Sequence, residues 1–232
     1  MEVNTYLGTT LFTSVAISLA AYMFGVKLRQ KFKLAIFNPL LISIIVMIII
    51  LKGFNIDYQV YNEGTKYLSW LLTPATVCFA IPMYEQWSLL KHNVKAVCAS
   101  LLAGVITSLT TVFVLSMTFK LSHTEFVTLL PKSITTAIGM GVSEELGGVV
   151  TITVAVIIIT GILGNIIAEA VCKIFKINEP ISKGLALGAA AHVIGTAKAN
   201  EMGEVEGAMS SLAIVVSGVL TVILAPIFAS FM

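Results

Sequence analysis

Charged residues are scarce in this sequence. Only 11% of its 232 residues are Asp, Glu, Lys or Arg, whereas 57% are hydrophobic. Soluble globular domains carry about 25% charged residues, so this composition falls outside the soluble class. The net charge of +2 is also too small for the basic surface that nucleic-acid binding requires. We therefore expect an integral membrane protein that does not bind nucleic acid.

Cysteine is rare as well, and its positions exclude two kinds of stabilising site. The three cysteines, Cys78, Cys98 and Cys172, all lie within apolar runs. An odd number at such positions argues against a disulfide framework, and the spacing of metal ligands does not occur. The sequence therefore predicts no disulfide framework, no metal site and no cofactor.

Long apolar runs recur along the chain and predict its fold. Five runs are close to the length of about 20 residues that crosses a bilayer as a helix. A sixth, shorter run over 67–82 contains Pro74. These runs predict an all-α polytopic integral membrane protein with about six full spans in one transmembrane domain, 1–232. Residues 1–66 would hold the N-terminal spans and 67–232 the core. The five longer runs cover 6–26, 34–51, 96–119, 149–172 and 208–231.

Two glycine-rich segments that carry charge, 126–148 and 184–206, interrupt this apolar background. Pro131 and several glycines supply helix breaks in the first segment. A helix over 126–141 would reach only about 24 Å, which is short for a span. Unwound backbone at membrane depth survives only within protein or beside a water-filled cavity. We therefore predict two short, broken segments that differ from ordinary spans.

The distribution of lysine and arginine predicts how these segments enter the membrane. A basic cluster over 27–33 follows the first span, so the positive-inside rule places it in the cytoplasm and the N-terminus outside. The lysines within 173–183 also fall on the cytoplasmic side only if segment 126–148 dips in from outside and returns. Only this arrangement gives an excess of lysine and arginine in the cytoplasm. The segment 184–206 then dips in from the cytoplasm. We also expect no removable signal peptide, since the first six residues carry no basic group.

This order predicts two units of opposite orientation, as in the inverted-topology repeats of secondary transporters. Each unit would pair a span, 96–119 or 149–172, with the re-entrant segment that follows it. The alternative is that both segments are discontinuous helices that cross the membrane fully, which gives eight helices. The sequence predicts no separate soluble domain.

Polar side chains in both segments suit a small carboxylate, because helix N-termini and lysines bind anions. Alternatively, the lysines anchor their segments at the membrane interface, and the histidine is satisfied by a backbone carbonyl. Glu144 and His192 are candidates for carrying a coupled proton, although Glu144 also suits the surface end of a helix. The predicted substrate ligands are Lys132, Ser133, Thr135 and Thr136 in the first segment, and His192, Thr196 and Lys198 in the second.

Motifs of enzymes are missing from the sequence. It contains no His-Glu-x-x-His, no Gly-x-Ser-x-Gly and no phosphate-binding loop. We therefore expect that the protein is not an enzyme.

Several stretches of the sequence together resemble the LrgB/CidB family of holin-like and antiholin-like membrane proteins. The resemblance covers essentially the whole chain. The forms PKS and GTAK look more like the CidB side of the family than the antiholin-like LrgB side. The matching stretches are ATVCFAIPMYEQ (75–86), LLPKSITTAIG (129–139), SEELGG (143–148), ISKGLALG (181–188), AHVIGTAKANEMG (191–203) and EGAMSSL (206–212).

The resemblance implies a multi-pass protein of the bacterial plasma membrane that acts with a separate LrgA/CidA-type membrane partner. It implies two functions. One is transport of small monocarboxylates such as pyruvate, glycolate or lactate, since the related plastid protein, an LrgA–LrgB fusion, carries glycolate and glycerate. The other is holin-like or antiholin-like control of murein hydrolase activity and cell lysis without a defined substrate. The small-residue faces of the helices also suit a homodimer.

Overall fold

The computed structural model describes residues 12–32, 37–71 and 87–232, with five isolated positions between 72 and 86. Every regular element within these residues is an α-helix, which confirms the predicted all-α class. The chain divides into two compact units, Met1–Cys78 and Phe79–Met232. The assignment of 1–66 to N-terminal spans and 67–232 to a core stays a prediction.

Within the residues that the structure describes, the first unit contains three helices: α1 (Thr13–Phe32), α2 (Pro39–Gly53) and α3 (Tyr58–Trp70). The Asn38 side chain accepts the Leu40 N–H at 2.9 Å and caps α2. α1 and α2 pack closely at Gly25, where an added Cβ would lie 2.7 Å from the Pro39 carbonyl oxygen. α1 and α3 are joined by a hydrogen bond between the Ser18 and Tyr61 hydroxyls, 2.7 Å apart.

Over residues 87–232, the second unit contains three long helices and the two broken segments. The long helices are α4 (Trp87–Phe119), α7 (Val150–Ile174) and α9 (Glu204–Ala229). Between them lie the helices of the broken segments, α5 (His123–Leu129), α6 (Thr136–Glu145) and α8 (Pro180–Met202). The Ser122 hydroxyl and the Glu125 carboxylate form a capping box at the start of α5. Hydrogen bonds from the Ser122 backbone N–H and hydroxyl lower the pKa of Glu125.

Three helices of the described residues are long and apolar enough to cross a membrane: Lys91–Phe119, Val150–Ile174 and Glu204–Ala229. They coincide with three of the six predicted spans and confirm a polytopic membrane protein. The predicted span 34–51 corresponds to α2, whose 15 residues reach only about 22 Å. The predicted span 6–26 is described only from residue 12 onward, and most of 67–82 lies outside the described residues.

The segment 126–148 is broken where the sequence predicts a break. α5 ends at Leu129, a turn containing Pro131 follows, and α6 returns the chain to the end of α5. The Val149 N–H donates to Oγ1 of Thr128 at 2.8 Å across 21 residues. The segment therefore folds back on itself, and we call residues 123–149 hairpin 1.

The helix α8 is broken at His192, whose φ of 42° and ψ of −136° are not helical. In a straight helix Gly195 and Leu187 would be about 12 Å apart along the axis. Here an added Cβ on Gly195 would lie 2.6 Å from the Leu187 carbonyl oxygen. The halves α8a (180–191) and α8b (193–202) therefore lie side by side, and we call residues 180–202 hairpin 2.

Glycines let hairpin 2 pack tightly against the long helices. Added Cβ atoms on Gly184 and Gly188 would overlap the α9 carbonyl oxygens of Glu206 and Ser210. An added Cβ on Gly164 of α7 would likewise overlap the Ala191 side chain. The small-residue faces that the sequence associates with a homodimer are thus used for packing within the chain.

Candidate functional site

A cavity of about 450 Å³ lies in the second unit between α4, hairpin 1 and α8a. Its volume falls in the range of about 300–1,000 Å³ that is usual for small-molecule sites. Hairpin 1 contributes the only charged side chain among the lining residues that the structure describes, Lys132. The other lining residues are Ser100, Leu101, Gly104, Thr107, Ser108 and Thr111 of α4, Ser133 of hairpin 1, and Ser182, Leu185, Ala186, Ala189 and Ala190 of α8a.

The Lys132 ammonium is held by hydroxyl groups. Its Nζ donates to Oγ of Ser133 at 2.9 Å and lies 3.4 Å from Oγ of Ser108. The two serine hydroxyls lie 3.1 Å apart and hydrogen-bond to each other. Among the described carboxylates, none forms an ion pair with Lys132. Lys132 and Ser133 both lie in the turn that follows Pro131, between α5 and α6.

Thr135 and Thr136 lie just beyond the cavity, where α6 begins. Thr135 is the N-cap residue of α6 and is buried, but its side chain makes no capping hydrogen bond. Its carbonyl oxygen accepts the Gly139 N–H at 2.8 Å, in the first turn of α6. The positive end of the α6 dipole therefore lies within a few residues of Lys132.

His192 and Thr196 lie inside the packing of hairpin 2 and do not belong to the described cavity lining. Nε2 of His192 is 3.0 Å from the carbonyl oxygen of Ile157 in α7. A carbonyl only accepts, so Nε2 carries the proton and donates. Oγ1 of Thr196 lies 3.0 Å from the His192 carbonyl oxygen and 2.7 Å from Oγ of Ser210. The sequence allows two roles for His192, a ligand of the solute or a histidine satisfied by a backbone carbonyl. The structure shows the bond to a backbone carbonyl.

Lys198 lies on α8b and is tied to carboxylates. Its Nζ is 2.5 Å from Oε1 of Glu169 in α7 and 3.4 Å from Oε2 of Glu201. Glu144 lies exposed near the end of α6. The structure therefore brings Lys132 and Ser133 together in the cavity and does not bring His192, Thr196 or Lys198 to them.

The cavity also contains hydroxyls that the sequence analysis missed. Thr107, Ser108 and Thr111 lie in the apolar run 96–119. Together with Ser100 and Gly104 they follow the spacing of one helical face. That periodicity could have identified them, because a polar face on a membrane-spanning helix faces protein or water and not lipid.

The arrangement suits a small anion. Within the part of the chain that the structure describes, no three His, Cys, Asp or Glu residues group as metal ligands would. Lys132 offers a positive charge, and the neighbouring hydroxyls can donate hydrogen bonds. The cavity can therefore hold one carboxylate beside Lys132.

Comparison with known proteins identifies the chain's relatives. Residues 18–231 match the LrgB-like family. The antiholin-like protein LrgB of Bacillus subtilis (strain 168) is 40% identical over 92% of this chain and 93% of its own length. The protein of the same name from Bacillus cereus (strain B4264) is 37% identical over 96% of this chain and 97% of its own. No solved structure matches the chain. The placement on the CidB side of the family stays a prediction. The chain belongs to the LrgB-like family.

Proposed function

We propose that this protein carries small monocarboxylates, of the pyruvate, glycolate or lactate type, across the bacterial plasma membrane. The proposal depends on the surroundings of the Lys132 ammonium group. Its ammonium group lines a cavity within a membrane protein and is surrounded by hydroxyls, with no carboxylate in ion-pair contact among the described residues.

The energetics of the lysine favour a bound anion. An ammonium group away from bulk water is costly unless an opposite charge or several hydrogen bonds offset the lost hydration. The hydroxyls of Ser108 and Ser133 offset part of this cost and can turn to donate to a carboxylate. A solute carboxylate would supply the missing negative charge.

The lining of the cavity favours a small acid with one charge. Gly104, Ala186, Ala189 and Ala190 leave room near the lysine. A dicarboxylate would place its second charge against alanine methyl groups and hydroxyls, with no second cation in the described lining. The hydroxyls of α4 can bind an oxo or hydroxyl group on the second carbon of the solute.

The proposed transport follows the general logic of broken-helix transporters. We propose that the two hairpins enter the membrane from opposite faces and that the N-terminus lies outside. In transporters with such broken helices, one group of helices moves against another around a fixed binding site. We propose a separate LrgA/CidA-type membrane protein as partner, and no enzymatic activity. Proton coupling through Glu144 or His192 remains a prediction. Binding through Thr135, Thr136, Thr196 or Lys198 also remains a prediction.

Uptake of labelled pyruvate into proteoliposomes tests the proposal, with and without an LrgA-type partner. Lys132→Met removes the charge at similar length and should lower uptake at least about tenfold, since charge-assisted hydrogen bonds contribute about 1.5–3 kcal/mol. Lys66→Met is the matched control, because Lys66 pairs with Glu63 on α3, is not a predicted ligand and does not belong to the described cavity lining, so uptake should remain. Absence of uptake by the unaltered protein in both preparations, across a range of pH, would refute the proposal.

The second candidate function is antiholin-like regulation of murein hydrolase activity and lysis without a solute. The names of the two Bacillus relatives favour it. A regulator of this kind needs assembly in the membrane but no lysine in a cavity. If Lys132→Met changes lysis in cells while pyruvate uptake and binding stay intact, regulation is the better description.

A further inference from the structure

His192 has an unusual backbone for its place in the chain. Four non-glycine residues have positive φ in the part of the chain that the structure describes. Three of them, Asn55, Lys120 and Lys176, follow the C-terminal ends of α2, α4 and α7, where such a conformation commonly ends a helix. His192 instead lies between two helical halves, with φ of 42°. A side chain in this conformation is strained, so the surrounding contacts must hold it there.

The imidazole of His192 supplies one of these contacts. Nε2 donates to the Ile157 carbonyl at 3.0 Å, and the residue is only 3% exposed. Within α7, Ile157 is four residues before Gly161, so its carbonyl also accepts the helical hydrogen bond at that position. A carbonyl has two lone pairs, and the imidazole uses the second.

α7 is shaped to receive this ring. An added Cβ on Gly161 would lie 2.7 Å from Cε1 and 2.9 Å from Nε2 of His192. Real Cβ atoms essentially never approach other heavy atoms so closely, so any side chain at Gly161 would push the ring from the carbonyl. The glycine and the histidine therefore form a matched pair across α7 and hairpin 2.

Two further hydrogen bonds hold the backbone next to the break. The Thr196 hydroxyl lies 3.0 Å from the His192 carbonyl oxygen. Nδ2 of Asn165 donates to the Ile194 carbonyl at 3.0 Å. Together with the imidazole, these bonds fix residues 192–194 to α7 and α8b.

The break is adjacent to the cavity wall. Ala189 and Ala190 line the cavity that Lys132 faces, and they precede His192 by three and two residues, respectively. We infer that His192 is the positioning residue of hairpin 2: its bond to Ile157 fixes the turn and thereby holds the alanine wall of the cavity in place. The effect on uptake rests on the proposed transport function, whereas the effect on the position of the wall does not.

Cysteine labelling tests the position of the wall without any transport assay. In a background with Cys78, Cys98 and Cys172 replaced by serine, one protein carries Ala190→Cys in the wall and another carries Thr111→Cys on the α4 side. Each is treated with a charged, water-soluble maleimide in proteoliposomes. His192→Leu removes the donor at similar volume, whereas His192→Gln keeps an N–H that reaches as far as Nε2.

We expect His192→Leu to change labelling at Ala190→Cys by about fivefold, as loss of one buried hydrogen bond would change a local opening equilibrium. Labelling at Thr111→Cys should stay the same, which separates a moved wall from general unfolding. His192→Gln should restore the original rate to within about twofold. Unchanged labelling in His192→Leu, or equal effects of leucine and glutamine, would overturn the inference.

A substitution in α7 tests the same His192–Ile157 hydrogen bond. Gly161→Ala should displace the ring and reproduce the labelling change of His192→Leu. Gly141→Ala is the matched control, since an added Cβ there meets no described atom within 4 Å. An effect of Gly141→Ala as large as that of Gly161→Ala would contradict the pairing of Gly161 with His192.

Uptake separates this inference from the proposed function. A positioning role predicts that His192→Gln retains pyruvate uptake, whereas His192→Leu raises the KM. Loss of uptake in both variants with unchanged labelling would make His192 a ligand of the solute, and the inference would be wrong while transport stands. If no variant or parent takes up pyruvate, transport is refuted and the labelling still decides the role of His192.

Discussion

Oγ1 of Thr128 accepts the backbone N–H of Val149 at 2.8 Å, and this bond closes hairpin 1. Thr153 adds two hydrogen bonds to this closure. Its Oγ1 lies 2.9 Å from the Thr128 carbonyl oxygen and 2.7 Å from Oγ of Ser143. All of these groups are neutral. Hairpin 1 is therefore fastened by hydroxyl groups, and Lys132 lies in the turn between α5 and α6.

This fastening predicts that Thr153→Val lowers the thermal stability of the purified protein in detergent. Valine keeps the shape but leaves the Thr128 carbonyl and the Ser143 hydroxyl without their partner, which costs about 1–3 kcal/mol in a buried site. Thr118→Val is the control, since the exposed Thr118 hydroxyl bonds only the Val114 carbonyl of its own helix. Equal melting temperatures for the two variants would show that the hydroxyls do not fasten hairpin 1.

The serine pair beside Lys132 predicts a second outcome. Ser108→Ala removes the hydroxyl that lies 3.1 Å from Ser133 and 3.4 Å from the lysine Nζ. One lost hydrogen bond of about 1 kcal/mol should raise the KM for pyruvate uptake about fivefold, with the maximal rate little changed. Ser230→Ala is the control, because the exposed Ser230 bonds only the Ile227 carbonyl at the end of α9. An unchanged KM in Ser108→Ala would exclude Ser108 from the site.

The first break could be predicted from the sequence, whereas the ligands of the cavity could be predicted only in part. Pro131 cannot continue a helix, so its position alone places the break in hairpin 1. The break in α8 occurs at His192, which is neither proline nor glycine. Its position depends on a carbonyl of α7, 35 residues earlier in the chain, and no local pattern contains that contact.

Charged residues in the apolar sequence indicate candidate site residues, but they do not indicate which of these residues lie together in the cavity. Lys132 and Lys198 look alike in the sequence, since each is the single lysine of a glycine-rich segment. Lys198 reaches Glu169 on α7, a carboxylate that the sequence places near the end of a span. The difference between a lysine in a cavity and a lysine in an ion pair arises from how α8b folds back on α7, so it required the structure.

The packing of hairpin 2 against α9 predicts a third outcome. Gly188→Ala should destabilise the protein, because the added Cβ would overlap the Ser210 carbonyl oxygen and lie 2.7 Å from the Cβ of Ala213. The backbone of a helix cannot yield as a flexible side chain can, so overpacking of about 1–3 kcal/mol is expected.

Gly141→Ala, in the middle of α6, is the matched control for this substitution. Its added methyl group meets no described atom within 4 Å. Replacing a glycine inside a helix by alanine should therefore stabilise by about 0.5–1 kcal/mol. Thermal denaturation in detergent should move in opposite directions for the two variants. A Gly188→Ala protein as stable as the parent would mean that hairpin 2 and α9 can separate without cost, and the close packing described for them would be wrong.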